Sequence, residues 1–371
     1  MANKRVVIKI GSSSLTEQDG SLSLNKLQEH TSAIAALMKQ GEEVILISSG
    51  AISAGFRDLG YSSRPVTVSG KQAAAAVGQG LLIEAYAEAF KTYGIVSAQL
   101  LVTRDVFVHH QQFTNVYQTI NELLKRSVIP IINENDSVAI EELTFGDNDM
   151  LSALISGLVN ADYLIMITDI NGLYSENPTD NPDAIRYNQL EHVSDDLISQ
   201  TSQKSSSKVG TGGMKSKLLA AQTALSLGVH AFVGVGQGEN KFIDILNGSG
   251  DGTYIGNHQT RHVRKEKQWI AFHSNVKGQI VIDQGAKEAL LNKGKSLLPA
   301  GIVSVIGEFN LNDVVEILFQ ENVIAKGKVN YSASEIDQIK GMRSLNAMHM
   351  TNQQKSEVIH RDHLVLTLQG V

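Results

Sequence analysis

Short runs of β-branched and aliphatic residues recur along the chain at Arg5 to Ile10, Glu43 to Ser48, Ser97 to Val102, Val128 to Ile132, Tyr163 to Thr168 and Ala231 to Val235. They are apolar along their length rather than alternating, as strands buried on both faces are, and the stretches between them are long enough for crossover helices. The pattern predicts an α/β domain in three layers, a largely parallel sheet sandwiched between helices. Two of those helices can be read in some detail. From Phe113, apolar residues fall at Phe113, Val116, Tyr117, Ile120, Leu123 and Leu124, one face of a 3.6-residue period. The other is capped by Ser23, carries its apolar stripe at Leu24, Leu27, Ile34, Leu37 and Met38, and ends before Gly41.

The pattern changes at residues 257–268, a polar and basic stretch without apolar periodicity. Beyond it lie shorter strand-like pieces, Gln279 to Ile282, Ile302 to Val305, Val314 to Leu318 and Val323 to Ala325, separated by Gly, Asn and Asp turns. These predict a small β-rich module. The expected organisation is a first domain over 1–256, a linker over 257–275 and a second domain over 276–371.

Composition narrows the function classes. The chain has 371 residues, 42% hydrophobic and 19% charged, ordinary for a globular protein and enough for more than one core. The net charge of −6, with ten basic and ten acidic residues after position 275, lacks the footprint of a phosphate-backbone binder. RNA is therefore not an expected partner. The absence of cysteine excludes disulfides, thiolate nucleophiles and Cys-ligated metals. No apolar signal core or membrane-length run is visible, so a soluble cytoplasmic protein is expected.

Five loops could carry chemistry, two of them as a pair. Lys9 to Ser14 is a strand end, a lysine and a small-residue turn able to aim N–H groups at an anion, though it also reads as a plain turn. Ser48 to Gly55 places glycines after a strand, either for close approach of a ligand or for close packing of a helix on the strand. Asn133 to Asp136, after a strand, and Gly146 to Asp149, ahead of a helical run from Met150, group amides and carboxylates that suit an amino-acid ligand. They also read as helix caps. Gly210 to Lys217 is a glycine-rich turn running into a helical segment from Leu218, a ready phosphate site.

Other signatures are missing. Gly294 to Ser296 is not a Walker A loop, since Ala289 stands where its first glycine belongs, and no dinucleotide fingerprint or nucleophile elbow is present. His258 and His262 lack a third ligand nearby and read as surface residues, as do His109 and His110. No metal site is predicted.

Taken in order, Lys9 to Ser13, Ser48 to Gly55, Ile132 to Asp136, Gly146 to Asp149, Thr168 to Tyr174 and Gly210 to Met214 resemble the motifs of the amino acid kinase family. The tail resembles a PUA domain through Gly278 to Ala286, Ser296 to Gly301 and Gly327. The first resemblance implies γ-phosphoryl transfer from Mg2+-ATP to the side-chain carboxylate of L-glutamate, opening proline synthesis. Another carboxylate or carbamate such as N-acetylglutamate, or an RNA-associated role through the tail, are the alternatives. Carried over by position, Lys9 and Lys217 would stabilise the transferring phosphate and Asp149 would orient them. Ser49, Asp136 and Asn148 would bind glutamate, with Asn133 and Asp147 beside them. Lys9, Gly11, Ser12, Thr168, Asp169, Thr211, Gly212, Gly213, Met214, Lys215, Ser216 and Lys217 would bind nucleotide, Lys215 standing open between phosphate contact and solvated surface. The resemblance further implies homo-oligomers, feedback by proline and hand-over of a labile acyl phosphate to glutamyl phosphate reductase. A carboxylate is already ionised at neutral pH, so the chemistry needs positive charge and alignment rather than a general base.

Overall fold

The computed structural model describes residues 3–138, 148–176, 181, 183–202, 213–256, 270, 276–291, 293–351 and 355–366. The chain divides into two compact units, one of Met1–Val106 with Thr114–Val263, the other of Phe107–Phe113 with Arg264–Val371.

From the N-terminus to Ile255 the elements are β1 (Arg5–Ile10), α1 (Leu24–Lys39), β2 (Glu43–Ser48), α2 (Ala51–Gly55), α3 (Val68–Lys91), β3 (Ser97–Val102), α4 (Asp105–Val108), α5 (His110–Lys125), β4 (Ile129–Glu134), α6 (Asn148–Leu158), β5 (Tyr163–Ile167), β6 (Leu173–Tyr174), β7 (Arg186–Tyr187), β8 (Gln189–Leu190), α7 (Asp195–Ser202), α8 (Met214–Ser226), β9 (His230–Gly234), α9 (Lys241–Leu246) and β10 (Gly252–Ile255). An eight-stranded sheet runs β3-β4-β2-β1-β5-β9-β10-β8. Its pairings are parallel except for the antiparallel β9/β10 pair. After β1 the chain adds β2 beside it, runs to the edge strand β3, returns to insert β4 between β2 and β3, then crosses back to add β5 and β9 on the other side. Such a reversal opens a crevice at the C-terminal ends of the central strands.

The two-residue repeat of β1 sorts its side chains. Val6, Ile8 and Ile10 join Leu27 and Ile34 of α1, Leu82, Tyr86 and Phe90 of α3 and Phe242 of α9 in one buried core. Lys9 therefore points to the opposite face, where α6 packs on β1, β2, β4 and β5 and also against α8.

The predicted caps of α1 hold. Ser23 accepts a hydrogen bond from the Lys26 N–H at 3.4 Å, and Gly41 follows the last turn at φ +96°. Leu24, however, is 60% exposed. It stands at the first helical position, with no preceding turn to lie against.

Two of the glycines in Ser48 to Gly55 have different work. Gly50 adopts φ +106° as the strand turns into α2. Gly55 meets α3 backbone to backbone: a Cβ there would lie 2.2 Å from the Ala74 carbonyl oxygen, and one at Gly78 would lie 1.8 Å from that of Ala51. The close approach at Gly55 is thus of helix to helix, not of helix to strand as that loop is expected to make.

In the second unit, β11 (Val276–Ile282), α10 (Gln284–Leu291), β12 (Ile302–Ile306), β13 (Val314–Phe319), β14 (Asn322–Lys328), α11 (Ala333–Ile339), α12 (Ser344–Thr351) and β15 (Leu364–Leu366) follow in order. The strands form one sheet, β12-β11-β13-β14-β15, parallel only between β11 and β13. Its core includes Ile280, Val315, Ile317, Ile324, Tyr331, Ile336 and Ile359. Helix α11 starts at a reciprocal cap between Ser332 and Glu335. This is the β-rich module that the spacing predicts.

Candidate active site

The site forms at the C-terminal ends of β1, β2 and β4, where the first turns of α6 and α8 arrive. Asp149 lies in the first turn of α6 and is fully buried. Its Oδ1 takes the Lys9 Nζ at 2.5 Å and its Oδ2 the Lys217 Nζ at 3.3 Å. The Ser216 hydroxyl donates to the same Oδ2 at 2.8 Å. Burial pushes the Asp149 carboxyl up, but the charges of Lys9 and Lys217 and the bonds from Lys9 and Ser216 outweigh it and carry it down to about 2. The carboxylate is thus ionised at neutral pH and draws together two ammonium groups from different elements. Two cationic side chains thus stand at the crevice beside the N-terminal turns of two helices, a setting that favours an anion. A Cβ on Gly11 would sit 3.5 Å from the Lys9 Nζ, so the turn passes at contact distance over that buried ammonium.

One residue earlier, Asn148 organises a neutral half. Its Nδ2 donates to the Ser48 carbonyl at 3.0 Å, to the Ser49 Oγ at 2.9 Å and to the Asn133 Oδ1 at 2.9 Å. Asn133 in turn receives the Glu134 N–H at 2.9 Å and donates its own Nδ2 to the Gln79 Oε1 at 2.8 Å. Gln79 also lines a small pocket with Ala51, Ala75, Leu101, Glu134, Asn135, Asp136 and Ser137. Burial raises the Asp136 carboxyl above its ordinary value, against the opposing charge of Arg64. Adjacent residues of α6 therefore join a charged, anion-seeking half to a hydrogen-bonding half with a recessed carboxylate.

Residues 4–234 match the amino acid kinase family. The chain belongs to that family. Residues 278–351 match the PUA domain, so the resemblances drawn from the motifs hold for both parts. Curated relatives named glutamate 5-kinase, from Bacillus cereus strains ATCC 10987 and B4264, are each 56% identical over 366 residues, covering 98% of this chain and 100% of theirs. Among solved structures, carbamate kinase from Giardia lamblia bound to AMP-PNP is similar at TM-score 0.50 and 17% identity, over 68% of this chain and 98% of that one. That likeness shows the fold.

The structure brings Lys9, Asp149, Ser216 and Lys217 together, and likewise Ser49, Asn133 and Asn148. Thr168 and Asp169 follow β5: the Thr168 N–H bonds the Gly234 carbonyl at 3.0 Å and its hydroxyl donates to the Asp169 carboxylate at 3.0 Å. Lys215 is exposed. Thr211, Gly212, Asp147, His258 and His262 lie outside the described residues, while His109 is exposed.

Several boundaries differ from the sequence reading, three of them at residues of the site. Asn133 and Glu134 are the last residues of β4 rather than a loop after it, because β3 extends the pairing to them (Leu101 with Asn133, Val102 with Glu134). Asn148 and Asp149 form the first turn of α6, and Met214 to Lys217 the first turn of α8, rather than loops ahead of helices. The loop readings rested on polar and glycine-rich composition, which also suits a helix start facing a ligand. Gln79 was not anticipated. It sits in α3 among alanines and glycines, 54 positions from Asn133, and no local pattern links the two.

Proposed function

We propose that the protein transfers the γ-phosphoryl group of ATP to the side-chain carboxylate of L-glutamate, giving L-glutamyl 5-phosphate and ADP and opening proline synthesis. The observation that carries this reading is the buried Asp149 holding Lys9 and Lys217 beside the Asn148 network. The names of relatives matching over nearly the whole chain support it.

Asp136 would pair the substrate ammonium at the pocket, while Ser49 and Asn148 would hold its carboxyl oxygens. A glutamate carboxylate oxygen attacks the γ-phosphorus. The new O–P bond forms as the bond to the β,γ-bridging oxygen breaks, and ADP carries away the electron pair. No proton has to move, which agrees with a site whose central groups are lysines and amides. Lys9 and Lys217 neutralise charge on the transferring group, and Asp149 keeps them in place before substrate arrives. Gly11, Ser12, Thr168, Asp169 and the α8 start would border the nucleotide.

The described residues do not fit a protein-held Mg2+: both Asp149 oxygens are engaged by cations, and no group of three His, Asp or Glu side chains among the described residues could hold a metal. A Mg2+ accompanying the nucleotide would be held by its phosphates and water and supplies charge neutralisation there.

The finer expectations of homo-oligomers, proline feedback at the glutamate pocket, hand-over of the acyl phosphate and a cytoplasmic location belong to the same reading. No helix among the described residues is long and apolar enough to cross a membrane.

The test is hydroxamate formation from ATP, Mg2+ and hydroxylamine with L-glutamate, N-acetyl-L-glutamate, L-aspartate or carbamate. Product with L-glutamate alone is expected. Turnover with another acceptor and none with glutamate would overturn the assignment.

A further inference from the structure

The turn after β1 is tied down from one side. Its own bonds run from the Ser14 N–H to the Gly11 carbonyl at 3.1 Å and from the Leu15 N–H to the Ser12 carbonyl at 3.0 Å, closing the turn on itself. The Ser14, Leu15 and Thr16 carbonyls are taken by α1 and its cap residue. The Ser23 N–H donates to Leu15 at 2.7 Å, the Lys26 Nζ to Thr16 at 2.5 Å, and His30 approaches the Ser14 carbonyl through Nε2 at 3.1 Å. Positions 23, 26 and 30 share one face of the helix, so α1 meets this turn as a row of three contacts.

His30 is the unusual member. It is 5% exposed, and its Nδ1 has no hydrogen-bond partner among the described residues. A carbonyl only accepts, so Nε2 carries the proton and Nδ1 is left as a bare buried acceptor. An apolar side chain would fill the same space without that penalty. What the imidazole adds is the N–H to Ser14. Burial, together with the charge of Lys241, lowers the His30 pKa to about 4, and the nearby Glu29 is itself ion-paired to Lys241 at 2.9 Å. The ring is neutral wherever the enzyme would work, and its tautomer is fixed.

We propose that His30 is a positioning residue for phosphoryl transfer: by holding the Ser14 carbonyl it fixes the Gly11–Ser14 turn that faces the terminal phosphate of the nucleotide. The inference rests on the phosphotransferase reading above. His30 touches no substrate and acts through the turn. An error of about 1 Å in such a turn costs up to about 100-fold in rate.

The experiment compares full-length wild type with His30→Leu, His30→Gln and His30→Asn, measuring kcat, KM for ATP and KM for glutamate, together with thermal midpoints. A Gln amide nitrogen reaches about as far as Nε2, whereas Asn is one carbon short. His30→Leu should lower kcat/KM for ATP about 10- to 100-fold with glutamate KM within about twofold of wild type, and it should melt no earlier. His30→Gln should recover most of the loss and His30→Asn should not. Unchanged ATP kinetics in a folded His30→Leu, or equal losses in Gln and Asn, would overturn the proposal. If His30→Leu does not fold, the Gln and Asn pair decides alone. A wild type without glutamate-dependent turnover would instead overturn the underlying reading.

Discussion

The two halves of the site are held together by different physics. Around Asp149, two ammonium groups converge on one buried carboxylate, and the arrangement is electrostatic. Around Asn148 the contacts are neutral amide and hydroxyl bonds that pass from Ser49 through Asn133 to Gln79. The charged half can follow a moving phosphoryl group because Coulombic attraction is long-ranged and tolerant of small displacements. The neutral half is directional and suits a substrate that has to be aligned once. Asn148 and Asp149 are neighbours in one helical turn, so on the proposed reading alignment of the acceptor and stabilisation of the transferring group are set by the same piece of backbone.

The comparison can be broken at its charged end first. Lys9→Ala or Lys217→Ala should lower kcat by about 100- to 10,000-fold while leaving the glutamate KM nearly unchanged, as steady-state kinetics would show. Asn148→Ala should act in the opposite sense, raising the glutamate KM by about 10- to 100-fold with a smaller change in kcat. If both substitutions changed the same constant, the division into halves would be wrong. Ser216→Ala, which removes one of several groups on Asp149, is expected to cost only about three- to tenfold in kcat.

Acid should also separate the halves, more gently. Asp149 is held at about 2 by its two lysines, so protonation does not reach it until far below neutrality. Asp136 is shifted upward by burial, against Arg64, and protonates first as pH falls, losing its attraction for an ammonium. Glutamate kcat/KM should therefore decline on the acid side before the lysine cluster is disturbed. A profile of kcat/KM against pH for wild type and Asp136→Asn checks this, since the variant should lose the upper part of the limb and keep only the fall set by the substrate's own side-chain carboxyl.

Sequence periodicity gave good access to elements that bury a regular face. β1 and β2 match their apolar runs and are buried along them, β3 matches its run in extent but buries only Val102, and α1 and α5 match theirs at Leu27, Ile34, Leu37, Phe113 and Ile120. The strands of the second unit were visible for the same reason. The 24-residue α3 was not, because its inward positions are largely Ala and Gly and it presents little apolar contrast between faces. At the site, Lys9, Asp149, Lys217 and Asn148 could be named from motifs, yet their convergence could not, since β1, α6 and α8 are far apart in sequence. Gln79 and His30 left no local signature at all. Each acquires its place through one long-range hydrogen bond, to Asn133 and to Ser14.

The backbone contact between α2 and α3 also limits how the pocket could be reshaped. Ala51, Ala75 and Gln79 form one wall of it, and behind that wall Gly55 and Gly78 already touch, so the helices have no slack in which to retreat. A longer or branched acceptor would have to find its room on the other wall, at Leu101 and Glu134 to Ser137, where β3 and β4 give way to their following turns. On the proposed assignment of this pocket to the acceptor, selection for new acceptors is thereby channelled to the strand ends, with the helix pair acting as a rigid gauge of substrate length.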